Sequence, residues 1–121
     1  MGLGRLFRRG PRRFSTPGES DRLILEMLRV QGADLSLPRE VLHYTYFPRR
    51  DEAESAAAEL RGAGWEVRVD ESAAGDGKWL ALATAERIVD ETTVDGVRAW
   101  FERFADEHGG EYDGWEAAAK P

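Results

Sequence analysis

The chain has 121 residues, 41% of them apolar, and a formal net charge of −6, which suits one domain with a single modest core and excludes a second independent one. It contains no cysteine, which rules out a disulfide framework and thiolate metal sites and makes a reducing cytoplasm the expected home. No apolar run reaches the roughly 18 to 20 residues that span a bilayer, and the start Met1-Gly2-Leu3-Gly4 lacks the apolar segment of a secretory signal, so no membrane partner is expected.

The charge is unevenly spread. Residues 1–14 carry Arg5, Arg8, Arg9, Arg12 and Arg13 and no acid, whereas the other 107 residues hold 12 bases against 23 acids, a balance of −11. An acidic domain repels a phosphate backbone at long range, so no direct binding of nucleic acid by the folded part is expected. Residues 1–18 mix arginine with glycine and proline and read as a disordered leader. The folded domain is expected over 19–116, with a short tail over 117–121.

From Ser20, a natural N-cap, Leu23, Ile24, Met27, Leu28 and Val30 recur at helical spacing, and Gly32 suits the left-handed position after a helix end. Val41 to Phe47 is β-branched and aromatic and stops at Pro48, which predicts a first strand. Asp51 and Glu54 resemble a capping box, and an alanine-rich helix is predicted over 51–61, with Ala53, Ala56, Ala57 and Leu60 as a stripe that lets it lie close on a sheet. Trp65, Val67 and Val69 alternate with Glu66, Arg68 and Asp70, and extended character resumes from Trp79 to Thr84. The Gly75-Asp76-Gly77 turn between them makes a hairpin. A third helix is predicted from Thr93 to His108, with Val94, Val97, Phe101, Phe104 and Ala105 on one face, and Glu111 to Trp115 reads as a short edge strand. This order predicts an α+β fold, a ferredoxin-like split βαβ sandwich with an antiparallel sheet and two helices on one face, preceded by an extra N-terminal helix. The leading helix or a partner is then left to cover the other face.

The chain is poor in catalytic chemistry. Neither His43 nor His108 stands in a metal-binding spacing, the many carboxylates include no pair singled out by position, and the glycines of 75–77 precede a strand and not a helix N-terminus. No catalytic, cofactor-binding or metal-binding residue is expected, and no enzyme. His108 has a structural explanation, because a helix C-terminus favours it. Two stretches stand out. Gly32 to Arg39 combines a helix stop, an Asp34 suited to an Asx turn, and Pro38. Gly109 to Glu116 sets Tyr112 and Trp115 around the turn pair Asp113-Gly114, the composition of a binding hot spot when the rings lie near the surface.

These stretches carry a family resemblance. Asp34-Leu35 and Pro38-Arg39 leading into His43-Tyr44-Thr45-Tyr46-Phe47, then Gly64-Trp65-Glu66-Val67, then Gly110-Glu111-Tyr112-Asp113-Gly114-Trp115 together resemble the B-type regulators of ribonuclease E activity. The resemblance covers about residues 21 to 116, and its ending is the most specific part. It implies a non-catalytic ferredoxin-like domain that binds the endoribonuclease and lowers its cleavage of some transcripts; the arginine leader departs from the family pattern. Tyr112, Asp113, Gly114 and Trp115, with Asp34 and Arg39, are the expected partner-binding residues. The competing readings are an RNA binder that uses the basic leader and a small-ligand domain. The β-α-β-β-α-β order suits RNA recognition, but no strand pairs basic residues with aromatics as such domains do.

Overall fold

The computed structural model describes residues 17–118. The leader as far as residue 16, and residues 119–121, lie outside the described part. Seven elements follow in order: α1 (Pro17–Val30), β1 (Arg39–Phe47), α2 (Arg50–Gly62), β2 (Glu66–Glu71), β3 (Trp79–Arg87), α3 (Val94–Glu107) and β4 (Glu111–Ala117). The protein is therefore α+β, with three helices and one four-stranded antiparallel sheet in the order β2-β3-β1-β4.

Local chemistry explains most element ends. Gly32 (φ +88°) and Gly109 (φ +74°) follow α1 and α3 in the left-handed conformation that favours glycine. The β2–β3 loop turns on Gly75 and Gly77, at φ +70° and +78°, while Asp76 accepts a bond from the Lys78 amide and the Ser72 amide bonds to the Lys78 carbonyl. Three helix starts differ from expectation. Helix α1 begins at Pro17, so Ser20 lies inside it, as do Pro17 and Gly18 of the expected leader; proline tolerates a helix start because its missing N–H has no partner there anyway. Helix α2 is preceded by Arg49, and Asp51 sits within its first turn, where its carboxylate accepts the Glu52 amide and meets the helix dipole. Helix α3 begins at Val94, one residue after the expected Thr93, and Asp90 organises its approach, its Oδ1 accepting the amides of Thr92 and Thr93 in an Asx turn.

Register fixes which side chains share a face. Arg39, Val41, His43, Thr45 and Phe47 of β1 point to one side and Glu40, Leu42, Tyr44 and Tyr46 to the other. Phe47 joins Ala53, Ala56 and Leu60 of α2, Ala81 and Ala83 of β3, and Phe101 and Phe104 of α3 in one apolar cluster. Val41 joins Ile24, Leu25 and Leu28 of α1 with Leu35, Val89, Trp115 and Ala117 in a second. All three helices therefore pack on the same side of the sheet, and the leading helix does not cover the opposite one. Ala53, Ala56 and Ala57 of α2 are fully buried, which lets its axis approach the strands closely.

Candidate functional site

The Tyr-Asp-Gly-Trp segment shows how β4 is built. Tyr112 pairs with Thr45 and Gly114 with Tyr44, so Asp113 is an extra residue and the register shifts by one between Tyr44 and Thr45. Gly114 carries the bulge at φ +113°. In a regular strand Tyr112 and Trp115, three positions apart, would face opposite sides. The inserted residue resets the parity, and both rings turn towards the helices, where they are 5% and 1% exposed. Rings expected near the surface are thus interior, because a bulge overrides the period of two.

Inside, they organise a buried polar cluster. Trp115 Nε1 donates to Asp21 Oδ1 at 2.9 Å, and the Arg98 guanidinium forks onto both oxygens of that carboxylate and reaches Glu102 at 3.1 Å. Arg98 also lies 5.3 Å from the centroid of the Tyr112 ring. Burial works against the charge of Arg98, but the hydrogen bond and field of Asp21 outweigh it and hold the guanidinium protonated. His43 Nδ1 shares a 2.8 Å hydrogen bond with the Tyr112 hydroxyl, and its ring stacks on Phe101 at 4.1 Å. Burial first, then the positive charges of Arg98 and Arg87, push its pKa down to about 3, so the imidazole is neutral at physiological pH. The sequence placed His43 in a strand without chemistry, and its surroundings give it a packing role.

Arg39 is likewise interior, 1% exposed. Its Nη1 donates to the Ala118 carbonyl and its Nη2 to the Asp34 carbonyl, both at 2.8 Å, so it ties the α1–β1 loop to the residue after β4. Burial lowers its pKa and the charge of Asp34 opposes that. Asp34 forms the expected Asx turn, accepting the Ser36 hydroxyl and amide at 2.6 and 3.0 Å, and those bonds hold its carboxylate below the usual range. Of the six expected partner residues, then, Tyr112, Trp115, Arg39 and Gly114 are buried, Asp113 is half-buried and Asp34 is exposed. Arg39 and Asp34 meet directly, and Arg39 joins them to the end of β4.

The opposite face of the sheet has a different character. Across it run the rows Glu66-Thr84-Leu42-Glu116, Arg68-Leu82-Tyr44-Gly114 and Asp70-Leu80-Tyr46-Glu111, with Glu40 and Glu86 side by side beyond the first row. Leucines and tyrosines form the centre. Five carboxylates, Glu40, Glu66, Asp70, Glu86 and Glu111, surround them, while Glu116 is buried beside Leu42. The opposing bases are Arg68, which bonds to Asp70 at 2.9 Å, and Lys78, which stands 3.9 Å from Glu111. The surface is hollowed into a depression of about 530 Å³ lined by Glu40, Leu42, Tyr44, Glu66, Leu82 and Thr84 among others. A second lies beside it around Glu66 and Glu86, and a third around Tyr46, Lys78, Glu111 and Asp113. The Tyr44 hydroxyl donates to Glu116, which fixes one ring of the centre. Sequence reasoning left this face to the leading helix or a partner but assigned it no residues, because it looked for a compact motif. The alternation of acids along β2 and of Glu40, Leu42, Tyr44 and Tyr46 along β1 was the available signal.

Among the described residues, no group of three His, Asp or Glu side chains is placed to hold a metal ion, and no helix is long and apolar enough to cross a membrane. Chemically, the face offers shape, apolar area and negative charge. No curated protein matches the sequence. A family model described as regulator of ribonuclease activity B matches residues 18–117.

Proposed function

This chain belongs to the family of regulators of ribonuclease activity B, and on that premise we propose that it is a non-catalytic cytoplasmic regulator that binds an endoribonuclease of the ribonuclease E type through the acidic face of its sheet. The observation that carries this reading is the ring of five carboxylates, Glu40, Glu66, Asp70, Glu86 and Glu111, around Leu80, Leu82, Tyr44 and Tyr46 on the side that no described helix covers. An apolar centre with a charged rim is the anatomy of a protein interface, and the sign selects a basic segment of the partner. RNA-binding regions of ribonucleases are basic, so occupying one would compete with RNA and slow cleavage without any bond-making by the regulator. Opposite fields speed such an encounter and make it sensitive to salt.

The fold reading that accompanies this is the ferredoxin-like split βαβ arrangement. It is supported by the antiparallel order β4-β1-β3-β2 and by α2 and α3 lying together on one side. The six residues first expected to meet the partner enter this reading indirectly. Tyr112, Gly114, Trp115 and Arg39 shape β4 and its bulge, and Asp113 stands beside the third depression. An RNA-binding role for the folded domain is disfavoured by the same carboxylates, which repel phosphate.

The test is a titration of the full chain with the host's large endoribonuclease, followed by calorimetry at low and high salt and by cleavage of a structured transcript. Binding that weakens with salt, falls at least tenfold on Glu66→Lys with Glu86→Lys, and slows cleavage is the expected result. No binding at either salt would remove the ribonuclease as partner.

A further inference from the structure

We infer that the arginine-rich leader of this same chain docks on the acidic face of its own sheet and occupies it until a basic partner segment displaces it. The inference rests on the reading of that face as the seat of a basic segment and adds a built-in competitor.

Charge is the first ground. Five arginines lie within residues 1–14, and five carboxylates, Glu40, Glu66, Asp70, Glu86 and Glu111, surround the apolar centre of the face against the two bases Arg68 and Lys78. The leader intersperses Leu3, Leu6, Phe7 and Phe14 among its arginines, and the face offers leucines as apolar contacts and the tyrosine rings Tyr44 and Tyr46 for guanidinium groups to lie on.

Position is the second ground. Helix α1 begins at Pro17, and four residues later Asp21 is hydrogen-bonded to Trp115 of β4, an edge strand of the sheet. The chain therefore enters the described fold beside that edge. Gly114 and Glu116, on either side of Trp115, point to the acidic face. Sixteen residues precede Pro17; extended, they reach at most roughly 55 Å, while the sheet is about 15 Å wide at the usual strand spacing. The leader can round β4 and cross all four strands.

Connectivity is the third. A segment tethered this closely faces its target at an effective concentration on the order of millimolar, so contacts too weak to hold a free peptide suffice within the chain. A partner then meets a face that is only partly available, and its apparent affinity falls by the fraction that is vacant.

Because the chain has no cysteine, Gly10→Cys in the full-length protein accepts a single nitroxide label, and paramagnetic broadening of amide signals reports where the leader lies. The expected result is broadening at Leu42, Tyr44, Leu82 and Thr84 but not at Glu54 or Arg103 on the helical side. It should largely disappear in high salt and on Arg8→Gln, Arg9→Gln, Arg12→Gln and Arg13→Gln together. Equal broadening on both sides, or none, overturns the inference. So does broadening that arises only between labelled and unlabelled molecules in a mixed sample, which means docking on a second copy. The same arginine-to-glutamine variant is expected to bind a synthetic oligoarginine peptide about tenfold more tightly than the parent if the leader covers the face nine-tenths of the time; unchanged affinity overturns the competition. Neither measurement involves a ribonuclease, so a leader that docks in a protein that ignores the enzyme would defeat the functional reading alone.

Discussion

The two faces of the sheet use the same strands for opposite ends. On the helical face, ionisable groups are buried and answered by specific partners: Asp21 by Arg98 and Trp115, and Arg39 by two carbonyls. On the other, five carboxylates stand around a leucine and tyrosine centre, with Arg68 and Lys78 among them. A buried polar group must be satisfied where it stands or it destabilises the fold. A surface charge keeps its water and costs the fold little, so a concentration of one sign can stand on the outward face.

That contrast can be broken by mutation, and the largest effect belongs to the helical face. Trp115→Ala removes a fully buried ring and leaves Asp21 without its indole donor, and is expected to lower stability by about 3 to 5 kcal/mol in chemical denaturation. A loss below about 1 kcal/mol would mean that the ring does not seat as described. The next effect is a pH dependence. The unfolded chain protonates His43 near 6.5, whereas the folded chain keeps it neutral until about 3. Stability should therefore fall as pH drops through that window, by about 1.4 kcal/mol per unit from this one group, and His43→Phe should flatten the slope relative to the parent.

Smaller again is Gly110→Ala. A Cβ there would stand 2.5 Å from the Phe47 ring and 2.7 Å from the Tyr46 carbonyl oxygen, and the expected cost is about 1 to 3 kcal/mol; a neutral substitution would show that β4 can move away from β1. The least stability effect is expected on the acidic face, where Glu66→Gln with Glu86→Gln should change the folding free energy by no more than about 0.5 kcal/mol. If these two substitutions destabilise the protein as strongly as Gly110→Ala, the division between a structural and a binding face fails.

Much of the architecture was readable from residue order. β-Branched and aromatic composition marked β1, period-two alternation marked β2, the alanine stripe marked the buried side of α2, and glycine marked the ends of α1 and α3. Boundaries were less legible where neighbours and not propensity decided them: β1 begins at Arg39, two residues before Val41, because its guanidinium finds carbonyl partners from two other segments. The candidate face was legible only in part. Glu66, Arg68 and Asp70 announced an outward side for β2, but nothing in one strand says which residues of the other three will lie beside it.

The sequence by itself determined the element types, the acidic balance of the folded part against its basic leader, and the poverty of catalytic groups, since all of these depend on local composition and period. Tertiary structure alone decided that Tyr112 and Trp115 go inside, that α1 joins the other helices, and that carboxylates from four strands form one surface. The physical reason is that a single extra residue in β4 reverses side-chain parity, and such a bulge is defined by the strand alongside it, not by the residues that form it.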